Sequence, residues 1–431
     1  MNYEQLASFE PALAEFLEKV RHCFKRDKTF GYLQKYLLGL MADLKRKSIE
    51  PIALASGLAV RTLQEFLAFF RWDHQLVEKT LIREVIERQH GKDSIGVLDA
   101  SGHVKQGKQT PGVQRQWCGE TGKRENCVIG QHLLYTDNDP ANPFSCVVAS
   151  DLCLPQSWHE DRERCHRAGI PDEIIYCPKW KTGIEQIERV MAEGLRFDYA
   201  TFDEEYGKVP EFIFELDRLG QKAVGEVPSN FRVWVRPPAC KSHRPEHASH
   251  RVDNIVKHSP AFYGQKWRTM LIKDTTCGRC VWQVKSTQVY LVKHKDGKAY
   301  CPVPSHRRYW LIVVRNPETS ETKYFISNAP AKESLRKLLE IAFTRWHVEK
   351  WFERAKQECG FGAFEVRTYT SLIRHWLVSR LAMYFLADQT TRLRGEKSVD
   401  NAGAGSRCCE HVGLDDMAEV SVFMEAQSIC V

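Results

Sequence analysis

A chain of 431 residues with 43% hydrophobic content is too long for one ordinary core and apolar enough to fold as several globular units. Its longest apolar stretches, such as Tyr309-Trp-Leu-Ile-Val-Val, are far too short to cross a bilayer, which excludes a helical membrane protein. The net charge of +7 fits a polyanion partner without demanding one, and 15 scattered cysteines in a chain without a signal-peptide pattern point to reduced thiols and a cytoplasmic location.

Residues 1 to about 90 carry a helical period. Leu13, Phe16 and Val20 recur at helical spacing, as do Leu63, Phe66, Leu67 and Phe70. The stretch from Ile49 to Leu67 reads as a short helix, a Ser56-Gly57 break and a second helix. That is the outline of a helix-turn-helix, with Arg61, Thr62 and Gln64 as candidate base readers. An ordinary helical hairpin has the same outline.

From about residue 94 the period changes. Ile95 to Asp99, Asn126 to Tyr135 and Phe144 to Asp151 read as three strands. Gly183 to Glu193 reads as a helix, Phe197 to Phe202 as a fourth strand, Val209 to Leu219 as a helix and Lys222 to Val227 as a fifth strand. Three strands followed by helix, strand, helix, strand is the order of a ribonuclease H-like α/β core. Residues 228–332 form a β-rich insertion: Thr287 to Lys293, Arg308 to Arg315 and Lys323 to Ser327 alternate, and Asp296-Gly297 marks a hairpin turn. Helical pattern returns from Lys332 to Cys359 and from Thr370 to Leu386. The expected organisation is therefore a helical DNA-binding domain over 1–90, a core over 91–227, the insertion over 228–332, completion of the core over 333–390, and a poorly ordered tail over 391–431.

Three acidic residues carry the chemistry. Asp99 shares a strand face with Ile95 and Val97, and a carboxylate on a core-side face is costly unless a cation meets it. Asp203 ends the run Tyr199, Thr201, Asp203 in the same way. Either could equally be a turn aspartate. In the helical segment Thr344 to Lys356, Arg345, Glu349, Phe352 and Lys356 return to one stripe beside Val348 and Ala355. A core-facing stripe with three charges is hard to explain as a surface ion pair. Two strand-end aspartates and a helical glutamate are what a two-metal phosphodiester-cutting site requires.

Arg345-x3-Glu349-x6-Lys356 resembles the latter part of the Tyr-x2-Arg-x3-Glu-x6-Lys signature of one lineage of bacterial insertion-sequence DDE transposases. Val97-Leu-Asp-Ala-Ser-Gly-His-Val-Lys-Gln-Gly-Lys, Arg115-Gln-Trp-Cys-Gly-Glu, Phe202-Asp-Glu-Glu-Tyr-Gly and Phe364-Glu-Val-Arg resemble further blocks of that group, so the likeness spans about 45 to 385. It implies Asp99, Asp203 and Glu349 as catalytic and metal-binding residues, and Arg345 and Lys356 as holders of DNA phosphates. Where the signature has tyrosine this chain has Ala342, with Phe343 beside it. The family reading implies two Mg²⁺ or Mn²⁺ ions, roughly 4 Å apart. It also implies double-stranded DNA as partner, both element ends and target, a dimer when DNA-bound, and a bacterial, nucleoid-associated location. Lys105, Lys108, Arg61 and Gln64 join the DNA-binding candidates.

Cys277-Gly-Arg-Cys280 has metal-ligand spacing, but only Cys301 and His306 lie near it and no second close pair exists. His243, His247 and His250 sit in a basic loop. Trp117-Cys118 and Cys408-Cys409 carry no recognisable chemistry. Two other classes of function compete with the transposase: a transposase-derived DNA-binding protein that no longer cuts, and a metal-independent hydrolase with paired carboxylates.

Overall fold

The computed structural model describes residues 9–89, 94–137, 139, 144–241, 244–275, 278–294 and 302–401. The helical front end consists of Phe9–Arg21, Asp27–Met41, Ile49–Ala55, Val60–Ala68 and His74–Glu87. The expected break falls after Ala55, where Gly57 takes a φ of +65° that a side chain would resist.

The strands are β1 Ile95–Val104, β2 Gln114–Cys118, β3 Lys123–Thr136, β4 Ser145–Leu152, β5 Tyr199–Phe202, β6 Ala223–Val227, β7 Arg232–Trp234, β8 Cys240–Lys241, β9 Arg244–Pro245, β10 His250–Arg251, β11 Arg268–Thr275, β12 Gly278–His294, β13 Pro302–Pro304, β14 Tyr309–Arg315 and β15 Thr322–Ser327. Thirteen of them form one mixed sheet in the order β10-β7-β12-β14-β15-β6-β5-β1-β3-β2, with β4 on β3 and β11 and β13 on β12. β1 runs antiparallel to β3 and parallel to β5, and β5 runs parallel to β6. The fold is thus mixed α/β with a large mixed sheet.

Contacts cross two of the expected boundaries in this arrangement. The strands of the β-rich stretch extend the central sheet, because β15 pairs with β6 from Tyr324↔Val227 to Ser327↔Val224. The front-end helices share one continuous core with the sheet layers. They pack on the long helix Tyr369–Asn401, whose Arg374 guanidinium donates to the carbonyls of Phe66, Leu67, Phe70 and Trp72. Tyr36 meets His375 at 2.8 Å, and Arg380 pairs with Glu78 at 2.5 Å. Apolar side chains on both sides of a boundary bind it more firmly than composition reveals. The long helix also continues past 390, to Asn401; the rest of the expected tail lies outside the described residues, as do the Asp296-Gly297 turn, Cys277, Cys301, His243, Cys408 and Cys409.

Two helices complete the face of the sheet that concerns function. Leu335–Thr344 packs on β5 and β6, and Trp346–Glu358 on β1 and β4. Phe352 of the second helix meets the His132 ring at 5.2 Å, which seats the helix over the β1–β3 pair. On the opposite face lies Lys179–Ala192, whose Gly183 lets Leu98 and Gln131 approach closely.

Candidate active site

Register brings the two aspartates together. Leu98 of β1 pairs with Phe202 of β5 in a parallel ladder, so Asp99 and Asp203 follow at the same level of adjacent strands. Asp203 then caps the short helix Glu204–Gly207, its carboxylate accepting from the Glu205 amide at 3.0 Å. Asp99 accepts from the Ala100 amide at 2.7 Å.

Arg345 joins the third acid to them. It stands at the junction of Leu335–Thr344 and Trp346–Glu358, a position that sends its side chain back over β1. One guanidinium nitrogen lies 3.4 Å from Asp99 and the other 2.6 Å from Glu349. Burial pushes the Asp99 carboxyl up to about 7, with the Asp203 charge adding to the rise and Arg345 opposing it. Burial likewise raises Asp203, against the pull of Arg345. Burial disfavours the Arg345 charge, yet Asp99 and Glu349 outweigh it and hold the guanidinium above its ordinary value.

The helix stripe differs from its expected form. Val348, Trp351, Phe352 and Ala355 are buried, whereas the Glu349 side chain is 49% exposed and stands at the rim. Among the described residues, no three His, Cys, Asp or Glu side chains are grouped to hold one metal ion. The Arg345 guanidinium stands between Asp99 and Glu349 and supplies positive charge to both. The donor set itself suits a divalent cation. It consists of hard carboxylate oxygens from three elements, one of them costly to ionise in its present surroundings. Beside them is Tyr206, buried, with a hydroxyl that has no hydrogen-bond partner among the described residues and a titration raised first by burial and then by the Asp99 and Asp203 charges. Sequence reasoning missed Tyr206; its only signal was its place one turn after Asp203.

The remaining candidates separate. Arg61, Gln64, Lys105 and Lys356 line one cleft of about 1180 Å³, together with Lys45, Arg46, Lys47 and Arg367. Lys356 donates to the Gly102 carbonyl at 3.0 Å and pairs with Glu120 at 3.1 Å. Lys105 donates to the Gly362 carbonyl at 2.8 Å under the Phe364 ring, and burial lowers it to about 7, so it ties down the loop after the glutamate helix rather than standing free. Arg61 is exposed and pairs with Glu65 at 2.7 Å. Lys108 is exposed, but it is absent from the cleft lining although Gly107 and Gln109 belong to it. Phe343, beside the missing tyrosine, is turned into the sheet against Trp282 and Phe325 and cannot replace it.

The sequence family described as DDE superfamily endonuclease matches residues 19–283, which takes in Asp99 and Asp203 and stops short of Glu349. A curated relative, the probable transposase for insertion sequence element IS701 of Microchaete diplosiphon, is 25% identical over 362 residues, covering 83% of this chain and 82% of its own. The piggyBac transposase solved by cryo-EM in a synaptic complex with hairpin DNA is 11% identical, with a TM-score of 0.42 over 99% of this chain and 78% of its own, a likeness too slight to equate the folds. The match over more than half of its length makes this chain a member of the DDE superfamily of endonucleases.

Proposed function

We propose that this chain is an insertion-sequence transposase that cuts and joins DNA at the ends of its own element, with Asp99, Asp203 and Glu349 as its catalytic acids. The observation that carries the assignment is the Arg345 guanidinium in contact with both Asp99 and Glu349, while strand register sets Asp203 beside Asp99. The strand order β4-β3-β1-β5-β6, with β1 antiparallel to β3 and parallel to β5, supports a ribonuclease H-like core. In such a core the acids gather at the ends of the central strands.

The three acids would hold divalent cations, two Mg²⁺ or Mn²⁺ on this reading, which when bound activate the attacking hydroxyl and stabilise the leaving oxygen. The chain's own residues do the rest. Arg345, which would part from Asp99 if cations took over that carboxylate, would hold a phosphate with its planar fork. Lys356, anchored on β1 through Gly102, fixes the glutamate helix against the strand that carries Asp99. The cleft lined by Arg61, Gln64 and Lys356 offers duplex DNA a basic path from the helix-turn-helix to the acids. Joining two element ends calls for two copies of the chain on DNA.

The test is nicking of duplex bearing the element's terminal inverted repeat, with Mg²⁺ or Mn²⁺, by wild type and by Asp99→Asn, Asp203→Asn and Glu349→Gln. The account requires cutting by wild type and a loss of at least a hundredfold in each variant, with DNA affinity retained. Equal cutting by all four would refute the assignment of the acids. Binding without cutting by wild type would establish the second reading, a transposase-derived DNA-binding protein.

A further inference from the structure

The β2–β3 hairpin carries a tryptophan that the core does not use. Trp117 is 63% exposed although it lies in the middle of a paired strand. Its neighbour Cys118 points the other way and is buried in a small cluster with Cys127, Ile129 and Ala100. Alternation therefore puts Trp117 and Arg115 together on the outer face, and register sets Arg124 directly opposite Trp117. Arg115 and Arg124 are exposed, and neither guanidinium has an ion-pair partner among the described residues.

The hairpin curls back toward the acids. A Cβ at Gly102 would meet the Cys118 sulfur at 2.6 Å and the Cys118 Cα at 3.6 Å. Gly102 lies three residues beyond Asp99 on β1, a rise of roughly 10 Å. The turn residue Glu120 reaches Lys356, which also binds the Gly102 carbonyl. The outer face of the curl thus sits beside the glutamate helix, at the margin of the site described above.

We infer that Arg115, Trp117 and Arg124 form a second DNA-contacting surface, which grips the duplex next to the cut. Two unpaired guanidinium groups flanking an exposed indole match the chemistry of a polyanion with apolar sugar and base edges. An exposed indole between two cations has no role in the packing of this chain, because its strand is held from the opposite face by the cysteine cluster. The inference rests on the reading that the chain acts on DNA, and deepens it by naming a contact surface outside the helix-turn-helix.

The experiment measures equilibrium binding of full-length chain to a duplex bearing one terminal inverted repeat, in chelator so that no cutting occurs, across a series of salt concentrations. Arg115→Ala with Arg124→Ala is expected to weaken binding at least tenfold and to flatten the slope of log affinity against log salt by about 1.8, the value for two phosphate contacts. Trp117→Ala is expected to weaken binding about tenfold with the slope unchanged, and Trp117→Phe to restore most of the loss. Unaltered melting temperature in each variant separates these effects from unfolding, and Trp117→Phe keeps the ring where Trp117→Ala melts early. Wild-type affinity and slope in all variants would overturn the inference while leaving the transposase reading intact. The same result accompanied by loss of a dimer in light scattering would assign the face to a second copy of the chain instead. A wild-type chain that binds no DNA overturns both.

Discussion

Arg345 and Asp99 form an ion pair of 3.4 Å across the seam between the glutamate helix and the strand at the centre of the sheet. The same guanidinium holds Glu349. One cation therefore balances acids whose mutual repulsion would otherwise open the site. On the proposed assignment of the acids, divalent ions would compete with Arg345 for the same carboxylates. Metal-free Arg345→Ala is expected to melt below wild type, by the equivalent of about 1–3 kcal/mol. Saturating Mn²⁺ is expected to raise its melting temperature more than it raises that of wild type. Equal shifts in calorimetry would show that Arg345 and the metal do not share the site.

Asp99 makes stability depend on pH with a defined sign. Its folded-state value is about 7, against about 4 in an unfolded chain. Between those values the folded chain keeps a proton that the unfolded chain has lost, so stability falls as pH rises through the window and the penalty is complete above about 7. Metal-free Asp99→Asn is therefore expected to be more stable than wild type at about pH 8, by an amount on the order of 2–4 kcal/mol, with the gap closing toward pH 4. Denaturant titrations at both pH values measure it. A gap that grows on acidification would give Asp99 a lowered value and remove its claim to an uncompensated burial.

Gly207 tests the placement of Asp203 without touching an acid. A Cβ there would stand 1.9 Å from the Glu226 carbonyl oxygen on β6, so the short helix that Asp203 caps would have to lift off the sheet. Gly207→Ala is expected to cost about 1–3 kcal/mol and to slow nicking at least tenfold. Near-normal cutting by a destabilised variant would place Asp203 outside the reaction.

Much of this was legible in the chain. Strand patterning marks β1, β3, β4, β5, β6, β14, β15 and the second half of β12, and helical spacing marks Pro210–Arg218 and the part of Lys179–Ala192 from Gly183 onward. The exposed strand β2 escaped notice because Gln114 to Cys118 carries no apolar alternation, only a tryptophan that faces outward. Sequence gave the residue types of the site but not its electrostatics. The spacing of Arg345 and Glu349 allows an i,i+4 ion pair, against which their apolar neighbours speak; the fold shows that pair and adds Asp99 to it. Contacts across the expected boundaries are hidden for a related reason: those of Arg374 join residues about 300 positions apart in the chain.

Those contacts carry their own prediction. Arg374 serves four carbonyl groups of the helical front end, and its removal takes a donor from each, leaving Phe66 only the Trp72 indole. Arg374→Ala is expected to cost about 3 kcal/mol or more. Because the helices share the sheet's core, the midpoint is expected to fall equally by far-ultraviolet circular dichroism and by tryptophan fluorescence. A separate early transition in one probe would show that the front end unfolds as an independent domain.

Site-directed iron cleavage reports whether residues 99, 203 and 349 surround one bound ion. Fe²⁺ placed in the full-length chain in the place of Mg²⁺, with ascorbate and peroxide, generates radicals that cut the backbone next to the bound ion. The account predicts three clusters of cleavage, around residues 99, 203 and 349, suppressed together by excess Mg²⁺ and by Asp99→Asn. Cleavage confined to one of these segments, or located elsewhere in the chain, would contradict a shared metal site.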